Sequence, residues 1–138
     1  SDSICHLYND AGLYKPAVLL IDTQVPACQY VLTYKDTIVV DSVIAGFYFD
    51  ADTVCQNEPV QLTDTSRTLA HKPIVAWEWD FGDGTPIDTN QNPIHRFQTS
   101  GTLNVTLTAY SSYGCIGSIT RQIFIWRLIG AIAQCQSR

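Results

Sequence analysis

Apolar and polar residues alternate in short runs along most of this chain, and turn residues separate the runs. Alternation with a period of two places the apolar side chains on one face of a β-strand. No apolar stripe with helical spacing reaches the length of a helix. The pattern predicts an all-β fold, an antiparallel β-sandwich, with strands centred on residues 17–21, 47–49, 60–62, 75–81, 105–109 and 119–125.

An internal repeat divides the chain. A histidine (His6 or His95) is followed after two residues by an aromatic residue and after six by a glycine (Gly12 or Gly101), and then by a strand and a cysteine. The two copies lie 89 residues apart, which is about the size of one sandwich domain. This spacing predicts that residues 1–42 are the C-terminal half of one repeat, 43–126 a complete repeat, and 127–138 the start of a following repeat or a linker.

Composition and charge narrow the classes of partner. The net charge is −5, and only eight residues are Lys or Arg, so the chain lacks the basic surface that nucleic acid or an anionic membrane requires. No apolar run approaches the roughly 18 residues that span a bilayer. We therefore expect no nucleic-acid partner and no membrane insertion.

The five cysteines carry information about the compartment. None belongs to a CxxC pair, and widely spaced cysteines in a β-rich chain favour disulfides and an extracellular location, with free buried thiols of a cytosolic protein as the alternative. Because the complete repeat contains only Cys55 and Cys115, the simplest prediction is that these two form a disulfide. Cys5 is then a possible partner for Cys28, and Cys135 roughly matches Cys55 in its position within a repeat.

Three segments of the chain carry a family resemblance: WEWDFGDGT at 77–85, NPIHRF at 92–97 and SGTLNVTLT at 100–108. In order and spacing they resemble the signature of the PKD (polycystic kidney disease) repeat, of the kind found in large surface proteins of Bacteroidetes-type bacteria. Leu103 and Phe97 stand where the family has an aromatic residue and a tyrosine. The resemblance implies an Ig-like sandwich, one complete repeat with partial flanking repeats.

The conspicuous residues of these segments are expected to be structural. Trp77 and Trp79 share one strand face, and Asp83-Gly84 is typical of a tight turn, with Asp80 accepting backbone N–H groups. Calcium held by Asp80, Asp83 and Asp88 is the alternative, but their spacing is not that of an EF-hand, so no metal or cofactor is predicted. The predicted structural motif comprises Trp79, Asp80, Phe81, Gly82, Asp83, Gly84, His95 and Gly101.

No catalytic motif is present in the sequence. There is no GxSxG elbow, phosphate-binding glycine loop or recognisable cysteine nucleophile. The prediction is a non-catalytic extracellular or cell-surface repeat, structural or adhesive, whose partners are neighbouring repeats of the same chain and a surface glycan or protein. The alternative is an accessory carbohydrate- or protein-binding module of a secreted hydrolase, for which Tyr113 is the best exposed aromatic candidate.

Overall fold

A computed structural model describes residues 7–21, 29–33, 35–69 and 72–127. Over these residues all regular secondary structure is β, as the alternating pattern predicted. The strands are β1 Gly12–Tyr14, β2 Ala17–Ile21, β3 Gln29–Thr33, β4 Ile38–Val40, β5 Val43–Ile44, β6 Phe47–Phe49, β7 Thr53–Cys55, β8 Pro59–Asp64, β9 Arg67–Thr68, β10 Ile74–Asp80, β11 Ile94–Arg96, β12 Gly101–Ser111 and β13 Ile116–Trp126.

One sheet of the central region has four strands in the order β10-β12-β13-β7. Its main part is the antiparallel hairpin of β12 and β13, which pair from Gly101↔Ile125 to Tyr110↔Ile116. Strand β7 pairs with the other edge of β13 in a parallel direction, placing Cys55 opposite Trp126. This edge of the sheet is therefore formed by a strand that precedes the hairpin in the chain and runs in the same direction as β13.

A second sheet has three strands in the order β11-β8-β6, and the core lies between the two sheets. Along β12, buried and less buried residues alternate, because every second side chain points at the opposite sheet. Trp79 is fully buried and its ring meets that of Phe47 edge to face at 5.0 Å. The buried apolar cluster is Phe47, Val54, Val60, Leu62, Trp79, Phe81, Phe97, Leu103, Val105, Leu107, Ile123 and Ile125. This two-layer arrangement confirms the predicted antiparallel β-sandwich.

Residues before the central sandwich form two short antiparallel ladders. β1 pairs with β4 and β2 pairs with β3, so the segment expected to contain strands does so where the structure describes it. His6, Cys5, Cys28 and Cys135 lie outside the described residues, as does all but the first residue of the predicted segment 127–138. The assignment of both flanking segments to partial repeats stays a prediction.

Across the described ranges, no helix is long and apolar enough to cross a membrane.

Candidate functional site

The loop after β10 is shaped by two carboxylates that accept hydrogen bonds from the residues following them. Asp80 Oδ1 accepts the Gly82 N–H at 2.9 Å, and Asp83 Oδ1 accepts both the N–H and the hydroxyl of Thr85, at 3.1 and 2.6 Å. Gly82 and Gly84 have φ of +69° and +82°, a region that L side chains rarely adopt. Hydrogen bonds between residues two positions apart therefore close the turn within the signature segment.

His95 of β11 joins this turn to the second sheet. Its Nε2 donates to Asp83 Oδ2 at 2.8 Å, and the Asp83 side chain is almost completely buried. The imidazole lies flat on the Phe81 ring, with centroids 3.8 Å apart and planes 5° from parallel, and Phe97 meets its edge. A buried carboxylate, an imidazole and two aromatic rings thus form one packed unit at the end of the sandwich.

The environment of Asp83 favours its ionised form. Burial of the carboxylate acts to raise the pKa of Asp83, but the hydrogen bonds from Thr85 and His95, with a smaller attraction to His95, outweigh burial and lower this pKa from its ordinary value. Both carboxylate oxygens of Asp83 therefore accept hydrogen bonds from the protein itself. Asp83 is a structural clamp between the loop and β11.

The third carboxylate considered for calcium serves the backbone as well. Asp88 Oδ1 accepts the N–H and the side-chain amide of Asn90, both at 2.8 Å, and the Asp88 backbone forms two hydrogen bonds with Trp79. Within the part of the chain that the structure describes, no group of three His, Cys, Asp or Glu side chains is placed to hold a metal ion.

The two signature tryptophans have different surroundings although they share a strand face. Trp79 is fully buried and its indole N–H donates to the Asn90 carbonyl at 2.8 Å. Trp77 is half-buried and donates to Asp64 Oδ2 at 2.8 Å. Asp64 was not expected from the sequence, because it lies on the preceding strand of the other sheet and only the packing of the sheets brings it to Trp77.

A polar cleft of about 430 Å³ lies beside Trp77. Its lining includes Asp64, Lys72 and Gln91, and the Lys72 amine also lies 5.0 Å from the centre of the Tyr113 ring. Tyr113 is 61% exposed, as expected for a loop residue that could contact a ligand. The cleft and Tyr113 form an open polar surface beside the turn between β12 and β13, at the opposite end of β10 from Asp83.

The predicted Cys55–Cys115 disulfide is wrong. Cys115 is a free, half-buried thiol, whereas Cys55 is disulfide-bonded, so the two are not joined to each other. Cys115 immediately precedes β13 and Cys55 lies opposite its last residue, so the two are separated by the length of that strand, on the order of 30–35 Å. A disulfide requires Cα atoms within about 7 Å.

A family model for the PKD domain matches residues 45–125. The chain belongs to the PKD domain family. The matched residues coincide with the central sandwich and contain the signature turn, its clamp to His95 and both long strands of the hairpin. The resemblance inferred from the three sequence segments is therefore confirmed.

Solved structures agree with this assignment. The PKD1 domain of Vibrio anguillarum Epp is 21% identical with a TM-score of 0.53, covering 61% of this chain and 93% of that one. The PKD1 domain of the Vibrio cholerae metalloprotease PrtV is 25% identical with the same TM-score, covering 61% and 96%. A structure described in a study of promiscuous carbohydrate-binding modules of the β-sandwich superfamily is 24% identical with a TM-score of 0.60. That match covers 67% of this chain but only 38% of the other.

Proposed function

We propose that this PKD module is a non-catalytic extracellular repeat that works as a mechanical spacer in a longer surface or secreted protein. The observation that carries the proposal is that the chain enters and leaves the sandwich at opposite ends. The Val43 carbonyl lies against Gly117 at the start of β13, and the chain leaves after Trp126 at the end of that strand. One module placed between two others therefore adds roughly 30–35 Å of length.

The strand directions suit a load applied along that axis. Force between the entry and the exit runs parallel to β13, and β7 pairs with β13 in the same direction over Thr53–Cys55. Such a load shears the hydrogen bonds between β7 and β13, so all of them are loaded at once. They are not opened one pair after another. Simultaneous loading of several bonds resists separation better than sequential opening does.

The polar chemistry of the signature fits a structural role. Asp83 and His95 are hydrogen-bonded to each other, and Asp83 also holds Thr85. A general acid or base needs a partner atom on a substrate within hydrogen-bond reach. Here Asp83 and His95 are hydrogen-bonded to each other, and the Phe81 ring stacks on the imidazole. We therefore assign the pair to stability and propose that the module has no catalytic activity of its own.

The cysteine chemistry supports placing the module outside the cell. Cys55 is disulfide-bonded, and structural disulfides persist mainly in oxidising compartments. The acidic composition, with a net charge of −5, favours solubility at a surface and does not favour adhesion to anionic lipid. A free Cys115 that is half-buried beside the Asp41 carbonyl, 3.6 Å from its Sγ, is compatible with this location because the thiol is shielded.

The spacer role is tested by pulling the full chain in two directions. With attachment points at Ser42 and Arg127, force is applied along β13, and we expect a high unfolding force. With points at Gln98 and Arg127, force opens the β12–β13 hairpin from its free end, and we expect a clearly lower force in the same molecule. Equal, low forces in both geometries would rule out the mechanical function.

A second candidate function is an accessory binding module of a secreted hydrolase. It is favoured by the similarity to a PKD domain of a metalloprotease and by the cleft beside Trp77 and Tyr113. Aromatic rings with polar neighbours suit sugar or protein ligands. The test is binding of the full chain to immobilised polysaccharides and extracellular proteins, compared with Tyr113→Ala and with Tyr48→Ala, an exposed tyrosine on a different strand. Binding that both variants retain would exclude this surface.

A further inference from the structure

An apolar groove of about 550 Å³ lies on the strands that precede the central sandwich. Val18 and Ile38 in its wall are each 37% exposed, although they are residue types that normally lie in a core. The lining residues are Tyr8, Tyr14, Lys15, Pro16, Ala17, Val18 and Ile38.

The strands under this groove repeat the pairing of the central hairpin. Gly12, the first residue of β1, pairs with Val40, just as Gly101, the first residue of β12, pairs with Ile125. Two residues further along, each hairpin has a second matching pair. These pairs are Tyr14↔Ile38 and Leu103↔Ile123. The ladder of β1 and β4 therefore has the register of the open end of the β12–β13 hairpin.

Beyond β1 the correspondence continues through β2 and β3. Ala17 pairs with Thr33, as Thr106 pairs with Thr120. Ala17 and Thr106 are 89 residues apart, as are Gly12 and Gly101. Two extra residues in the returning strand, between β3 and β4, account for the break that leaves two short ladders in place of one long one.

Five of the seven groove-lining residues correspond to core residues of the central sandwich, whereas Lys15 and Ala17 correspond to Asn104 and Thr106 on the less buried face of β12. At a displacement of 89 residues along the first strand and its approach, the pairs are Tyr8 and Phe97, Tyr14 and Leu103, Pro16 and Val105, and Val18 and Leu107. Their central counterparts are at most 9% exposed. In β4, Ile38 corresponds to Ile123, which is 1% exposed. Most of the groove wall thus corresponds to the inner face of the β12–β13 hairpin.

In the central sandwich, the second sheet covers the corresponding inner face of the hairpin. Strands β6 and β8 place Phe47, Val60 and Leu62 in the same buried cluster as Leu103 and Leu107, and β10 adds Trp79 to it. All of these residues come from the part of the repeat that precedes His95. Two of the three covering strands, β6 and β8, therefore belong to the front half of a PKD repeat, while the third, β11, follows directly after it and β10 pairs with the hairpin itself.

We propose that the groove is the open core of a second PKD sandwich, and that it is closed by a front half of the PKD type, corresponding to residues 43–94 of this chain and lying before His6 in the parent polypeptide. The apolar face and its register match the sheet-to-sheet interface of the central module, and no second sheet among the described residues covers this face. This inference concerns residues 7–40 and does not depend on whether the central module is a spacer or an accessory module.

The test is a chimera in which a second copy of residues 43–94, carrying Cys55→Ser so that it adds no thiol, is joined directly to residues 6–138. The unmodified chain should bind an apolar dye and be cut by chymotrypsin at Tyr8 and Tyr14. In the chimera the dye signal should fall, cleavage at both tyrosines should slow by at least about tenfold, and unfolding should expose the surface of two sandwiches.

Two controls make the result decisive. Trp79→Asp in the appended copy alone should restore both cleavage and dye binding, because that copy can then no longer supply a core. Val18→Asp in the unmodified chain should lower dye binding and leave the unfolding of the central sandwich unchanged. The proposal is overturned if chymotrypsin cuts the chimera at Tyr8 and Tyr14 as fast as it cuts the unmodified chain. It is also overturned if the chain alone forms a dimer that Val18→Asp dissociates, since a second copy then occupies the groove.

Discussion

At the scale of single residues, the signature loop owes its shape to where it touches the neighbouring strand. Gly82 packs directly on the backbone of Asn104 in β12, so that a Cβ atom at this position would lie inside van der Waals contact of the Asn104 carbonyl oxygen. Gly84 has the same left-handed conformation but faces open space. Alanine substitutions at the two positions therefore distinguish two costs in folding free energy, that of the left-handed backbone conformation and that of steric overlap.

We expect Gly84→Ala to lower the free energy of unfolding by about 1 kcal/mol, the cost of a left-handed non-glycine residue. Gly82→Ala carries the same cost and in addition forces β12 to move, which adds about 1–3 kcal/mol. Denaturant unfolding of the two variants measures the difference. Equal losses would show that the loop does not pack on Asn104 as described.

Asp83 makes the stability of the module sensitive to acid. Since the pKa of Asp83 is lower in the folded protein than in the unfolded chain, the folded state favours the carboxylate. Its contribution is complete above the unfolded pKa of about 3.8 and is lost as the pH falls through the folded value. Asp83→Asn should cost about 1–3 kcal/mol at neutral pH, because buried charged hydrogen bonds are lost.

The pH profile distinguishes this mechanism from general damage. Below about pH 4 the wild type should lose stability more steeply than Asp83→Asn, so that the two curves converge. Thr85→Val removes one of the hydrogen bonds that lower the pKa of Asp83, and it should give an intermediate slope. Parallel curves for wild type and Asp83→Asn between about pH 5 and pH 2 would contradict the assignment.

At the scale of elements, β13 sets the geometry of the module. It pairs with β12 on one edge and with β7 on the other, and its two ends mark the entry and the exit of the chain. The parallel direction of β7 carries Cys55 to the exit end, opposite Trp126, while Cys115 stays in the turn at the entry end. The long strand keeps the two cysteines apart.

The cysteine assignment can be checked by alkylating the full chain under denaturing conditions without reductant. Cys115 should be labelled completely and Cys55 should be labelled only after reduction, since one is a thiol and the other is disulfide-bonded. As a matched pair, Cys55→Ser should lower the free energy of unfolding by about 2–4 kcal/mol, and Cys115→Ser should cost much less. A cross-linked peptide pair containing Cys55 and Cys115 would refute the strand arrangement.

At the scale of the whole molecule, the described chain contains one closed sandwich and one sheet face without a cover. The closed sandwich buries its apolar cluster between two sheets, and its entry and exit at opposite ends suit a linear array. The open face on the strands before it has the same register and the same kind of apolar residues. Both features have one explanation if the protein is built from consecutive PKD sandwiches.

The sequence by itself determined the all-β fold, the signature turn and the main strands of the central sandwich, but not short strands such as β7 and β11. These depend on short-range rules: alternation decides which face of β12 is buried, and a side chain such as Asp83 closes a turn with a residue two positions away.

Only the tertiary structure decided which distant residues meet. The approach of Asp64 to Trp77, the packing of Gly82 on Asn104 and the parallel pairing of β7 with β13 depend on how strands are ordered in a sheet and how two sheets stack. Local pattern carries no information about strand order. The disulfide was therefore assigned to the wrong partner, since membership of one repeat does not bring two cysteines to the same end of a strand.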